Sequence, residues 1–144
     1  MASRTSCGEV KLAPRKARRQ DSVEIAFLEA LHKRCGHNRR VWEALGDLYT
    51  RTGRFEDGLE MDLRIAKVCP DDPMVLYNLA CSCALTGRLN EALDALARAV
   101  KAGYDDAEWM GRDRDLKSLR EDPRFRALLR RVRALHRPPP PSGE

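Results

Sequence analysis

The stretch Val41-Trp42-Glu43-Ala44-Leu45-Gly46-Asp47-Leu48-Tyr49, followed by Thr52-Gly53-Arg54-Phe55, decides how this chain is read. Apolar and small residues recur at three- and four-residue spacing on both sides of Gly53, the signature of two amphipathic helices joined by a tight turn. Shifting the sequence by 34 residues repeats the pattern. Trp42 falls on Leu76, Leu45 on Leu79, Gly46 on Ala80, Tyr49 on Cys83, Phe55 on Leu89, Gly58 on Ala92, Leu59 on Leu93 and Ile65 on Ala99. Thr52-Gly53-Arg54 recurs as Thr86-Gly87-Arg88. Small residues at 46 and 80 set the distance between paired helices, and the larger apolar residues beside them fill the seam. Pro70 and Pro73 bracket Asp71-Asp72, so one pair ends and the next begins there: proline disfavours helix in the residue before it yet is accommodated in a first turn.

Trp42-x2-Leu45-Gly46-x2-Tyr49 with Gly53, Phe55 and Pro70 resembles the tetratricopeptide repeat, and the second copy carries Leu76, Leu79, Ala80, Gly87, Leu89, Ala92, Leu96 and Ala99 at matching places. The resemblance implies an all-α fold, an α-α superhelix of two full repeats over about residues 39–72 and 73–106 with capping helices on either side. Gly58, Asp62 and Cys83 depart from the family pattern, which predicts looser packing within the first pair. Two repeats leave their outer faces open, so the flanks are expected to cap them. Residues 22–36 place Val23, Phe27, Ala30 and Leu31 on one helical face and break at Gly36, like the second helix of a truncated repeat. Downstream, the next shift sets Asp113 and Arg114 where Leu and a small residue are required, so the repeat ends. Leu116, Leu119, Phe125, Leu128, Leu129 and Val132 in residues 107–136 resemble the closing segment of many bacterial tetratricopeptide proteins.

Composition bounds the function classes. The chain has 144 residues, a net charge of +5 and 42% hydrophobic residues, which fits one domain and offers no membrane-spanning run. Residues 1–20 carry six cations and one anion, residues 21–121 fifteen and nineteen, and residues 122–137 six arginines and one Asp. This division predicts a basic disordered tail over 1–20, a helical domain over 21–137 and a Pro-rich tail over 138–144. The basic ends admit a nucleic-acid role, with solvated tails as the alternative. Five cysteines without a C-x-x-C pair point to free thiols in a reducing compartment, and no secretory leader is evident, so a cytoplasmic protein is expected.

In the family the first helix of each pair lines a concave groove. That resemblance assigns Arg40, Glu43, Asp47 and Arg51 from one repeat and Met74, Tyr77, Asn78, Cys81 and Leu85 from the next to peptide binding. Tyr77 and Met74 read equally well as contacts to the capping helices. Asn78 matches one position of the carboxylate clamp of some family members, but Glu43 and Asp47 replace its Lys and Asn and would repel a peptide carboxylate. His32-x2-Cys35-x-His37 gathers three possible metal ligands without a fourth, so neither a metal nor a cofactor is expected. Cys81 and Cys83 read as small core residues. Nucleophile-base pairs, paired carboxylates and phosphate-binding loops are absent from the sequence, so a non-enzymatic adaptor binding a peptide or helix of another protein is the leading expectation. A self-associating structural module is its alternative.

Overall fold

Asparagine and aspartate side chains start three of the main helices of the computed structural model, which describes residues 15–138, with side chains from residue 18 onwards. The Asn38 carboxamide oxygen accepts the backbone N–H groups of Arg40 and Val41 and opens α2 (Arg39–Arg51), which follows α1 (Arg15–Arg34). After α3 (Phe55–Val68), the Asp72 carboxylate accepts the N–H groups of Met74 and Val75, and Pro73 occupies the first turn of α4 (Pro73–Leu85). Helix α5 (Leu89–Lys101) and the short α6 (Ala107–Arg112) lead through a 3₁₀ turn (Arg114–Leu119) to α7 (Pro123–Leu135). There Asp122 and Pro123 repeat the same start, with the Asp122 oxygen 2.8 Å from the Arg124 N–H. All regular structure among the described residues is helical.

The two 34-residue copies fold alike. Gly53 and Gly87 both adopt positive φ, 82° and 77°. The Gly53 N–H donates to the Thr50 carbonyl and the Arg54 N–H to Tyr49, while Gly87 donates to Ala84 and Arg88 to Cys83. These are Schellman closures, in which glycine takes a conformation that a Cβ would strain. The preceding threonines also match, with Thr52 donating to the Leu48 carbonyl and Thr86 to Ser82. The α2–α3 and α4–α5 hairpins are therefore the same unit twice.

Each helix packs on the next, α1 through α5 in order; the 3₁₀ turn lies against α4 and α5, and α7 against α5 and α6. Ile25, Val41, Trp42, Leu45, Leu48, Tyr49, Met61, Ile65 and Val75 form one buried cluster. A larger one runs from Leu59 through α4 and α5 to Met110, Leu116, Leu119, Phe125 and Val132, and half-buried Ala66 touches both. The first pair is tightly packed, contrary to the expectation from Gly58 and Asp62. A Cβ at Gly58 would lie 3.0 Å from the Thr50 hydroxyl, and buried Asp62 accepts a hydrogen bond from Ser82 of α4. Glycine permits the close approach, and a polar tie stands where the pattern calls for an apolar side chain.

Two expectations at the N-terminal end need correction. The helix begins at Arg15, so part of the basic stretch assigned to a tail is helical, and residues 1–14 lie outside the described residues, as do 139–144 of the Pro-rich end. The face of α1 turned to the core is also different: Ile25 is buried and Leu28 half-buried, whereas Val23 and Phe27 are exposed. The inward face wins because its polar groups find partners. Asp21 accepts from Arg51 at 2.7 Å, Glu29 accepts from the Tyr49 hydroxyl at 2.7 Å, and His32 Nδ1 accepts from the Trp42 indole at 3.2 Å.

Candidate partner-binding surface

Helix α2 carries Arg40, Glu43, Asp47 and Arg51 on one face, at the three- and four-residue spacing that brings side chains into line. All four are exposed or partly exposed. Glu43 receives Arg39 at 2.7 Å and Arg51 holds Asp21 of α1, so part of this face is already paired within the molecule. Such exposed pairs contribute little stability and yield readily to a ligand.

On α4 the corresponding face is mostly closed. Tyr77 and Cys81, expected to line a groove, are buried at 0% and 4% exposure and are withdrawn as contacts for a partner. The cause is the 3₁₀ turn. Tyr77 donates its hydroxyl to Asp113 Oδ2 at 2.7 Å, its ring stacks on Tyr104 with centroids 4.3 Å apart, and Cys81 Sγ lies 3.8 Å from the same Asp113 oxygen. The other Asp113 oxygen accepts the Asp115 N–H, and its carbonyl accepts Arg120 at 3.2 Å. Burial, and after it the neighbouring Cys81 and the Asp113 hydrogen bond, hold the Tyr77 hydroxyl well above the ordinary range for phenols. Met74, Asn78 and Leu85 keep partial exposure, so of the residues expected to line a groove these three and the four of α2 remain reachable.

Asp113 escaped the sequence reading as a partner, though its signal was present. It breaks the repeat by placing an acid where the register requires Leu, and a buried acid needs a donor. Tyr77 lies 36 residues upstream on a face otherwise made of apolar and small groups.

His32, Cys35 and His37 do not form a metal site; the two histidines instead flank Trp42, their rings meeting the indole edge-on at 6.4 and 6.1 Å. Among the described residues no three His, Cys, Asp or Glu side chains assemble as metal ligands. Cys81 and Cys83 are buried, and burial pushes the Cys83 thiol up to about 11. A separate depression of about 600 Å³ lies between Asp105, Asp106, Glu108, Arg133 and His136, at the junction of α6 and α7.

No family model matches the chain. A chloroplastic protein of Arabidopsis thaliana is 32% identical to it over 85 residues, a stretch amounting to 57% of this chain and 25% of that protein. The match thus spans about a quarter of the relative's length. Among the described residues no helix is long and apolar enough to cross a membrane.

Proposed function

We propose that this chain is a tetratricopeptide-like adaptor: a short α-α superhelix of two repeats, over about 39–72 and 73–106, that binds a peptide or helix of another protein without catalysis. The observation that carries this reading is the congruence of the α2–α3 and α4–α5 hairpins, which share helix starts, glycine conformation and turn hydrogen bonds. Stacked units of this kind present a continuous surface wider than one helix, and their chemistry is that of docking. The docking surface is the α2 face of Arg40, Glu43, Asp47 and Arg51, continued by Met74, Asn78 and Leu85. Residues 107–136 close the far end. Free thiols among the described residues support a reducing compartment, the cytoplasm, as its setting.

The test is quantitative affinity capture from the native cell with the parent and with Arg40→Ala, Asp47→Ala and Asn78→Ala combined. Captured partners should fall several-fold while the far-ultraviolet circular dichroism stays that of the parent, because all three side chains lie at the surface or its edge. Capture equal to the parent's would remove this face from the reading.

A further inference from the structure

Helix α1 packs chiefly on α2. Its Ile25, Leu28 and His32 side faces that helix, and Glu29 reaches Arg54 at the start of α3, whereas the opposite side is exposed. That opposite side carries Val23, Phe27 and Ala30 at i, i+4 and i+7, with Val23 65% and Phe27 63% exposed. The same line continues to Arg19 at one end and Arg34 at the other, both exposed. It is an apolar strip two turns long, bounded by a cation at each end, with exposed Glu24 alongside its middle.

We propose that this face docks an amphipathic helix of a partner protein whose own apolar strip is flanked by acidic residues. The anchor spacing is that of helix-to-helix recognition, in which alternate turns supply one large side chain each. Charge selects among occupants. A second copy of the chain is disfavoured in either orientation: two-fold pairing of parallel α1 helices sets Arg19 beside Arg19 and Arg34 beside Arg34, and antiparallel pairing centred on the strip sets Arg34 against Arg19. Residues 1–14 of the chain bring Arg4 and Lys11 against the single Glu9, so they supply no acid at both ends of the strip. A lipid surface would meet only two large apolar side chains, a narrower face than interfacial helices bury. An acidic amphipathic helix satisfies both the strip and its ends. This surface lies on a different helix from the α2 and α4 face, and the proposal stands without it.

The probe is a labelled, helix-stabilised peptide of about 15 residues with Leu at i, i+4 and i+7 and Glu flanking the strip at both ends, titrated by fluorescence anisotropy against the full chain. A second peptide replaces each Glu by Lys. The acidic peptide should bind about tenfold or more tightly than the basic one at low salt, and Phe27→Ser should weaken it by at least about tenfold. Arg19→Glu combined with Arg34→Glu should reverse the preference between peptides. The substituted side chains are exposed, so circular dichroism and melting should match the parent. Binding of neither peptide, as when residues 1–14 already occupy the strip, or equal binding of both, overturns the proposal. So does a dimer in sedimentation equilibrium that Phe27→Ser dissolves, or Phe27-dependent sedimentation with phosphatidylserine vesicles in place of peptide binding.

Discussion

Gly58 shows how a single missing methyl group sets the distance between α2 and α3. A Cβ there would sit 3.0 Å from Thr50 Oγ1 and 3.6 Å from the Gly46 carbonyl oxygen. Thr50 cannot retreat freely, because its buried hydroxyl donates to that same carbonyl at 2.9 Å. Alanine would improve helix propensity by about 1 kcal/mol, whereas overpacking a close-packed seam costs about 1–3 kcal/mol. Gly58→Ala should therefore destabilise the protein by about 1 kcal/mol in urea unfolding, despite the better helix former. With Thr50→Ala as the background, the obstructing oxygen is gone and the same substitution should stabilise by about 1 kcal/mol. Additive behaviour across the four proteins would show that the helices separate to accept the methyl group, and the close-approach account would fall.

The C-terminal helices act as a unit with the second hairpin. Phe125 and Val132 of α7 are buried at 2% and 0% exposure in the cluster that holds Leu93, Leu96 and Val100 of α5, and Leu119 from the 3₁₀ turn joins them. Phe125→Ala should cost about 3–5 kcal/mol, the range for deleting a buried aromatic side chain. A melting temperature close to the parent's would make α7 a loosely attached arm. How far such elements can be read from the sequence depends on whether their constraint is local. The helix pairs were legible because Trp42, Leu45, Gly46 and Gly53 recur after 34 residues as Leu76, Leu79, Ala80 and Gly87, and Gly and Pro punctuate them by backbone geometry alone. The inward face of α1 was not. Val23, Phe27 and Ala30 form as good a helical strip as Ile25 and Leu28, and the choice rests on Arg51, Tyr49 and Trp42 waiting across the interface for Asp21, Glu29 and His32. Likewise, Tyr77 at a groove position reads equally as a ligand contact or a core residue until Asp113 is placed opposite it.

The three tyrosines of the chain sit at two junctions, Tyr49 at one and the stacked Tyr77 and Tyr104 at the other, which gives the molecule one common response to alkali. Tyr49 ties α2 to Glu29 of α1, Tyr77 ties α4 to Asp113 beside the 3₁₀ turn, and Tyr104, just beyond α5, stacks on Tyr77. All three phenols are held above their ordinary range, each chiefly by burial; a hydrogen bond to a carboxyl group adds to it at Tyr49 and Tyr77, and the Tyr77 hydrogen bond partly opposes it at Tyr104. The folded protein thus keeps protons that the unfolded chain gives up above about pH 10. Since stability falls with pH wherever the unfolded state binds fewer protons, these groups contribute fully below about pH 10 and lose their contribution as pH rises beyond it. Three such groups give a limiting slope of about 4 kcal/mol per pH unit, steep against a total stability of about 5–15 kcal/mol. Tyrosinate absorbance and far-ultraviolet circular dichroism, followed together through an alkaline titration, should therefore change in one coincident transition above about pH 10, and Tyr77→Phe should flatten its approach by one proton. Appearance of one tyrosinate near the ordinary phenol range with the helix signal intact would mean that its junction opens independently, and Tyr49→Phe, Tyr77→Phe and Tyr104→Phe would identify which of the three contacts the rest of the fold does not need.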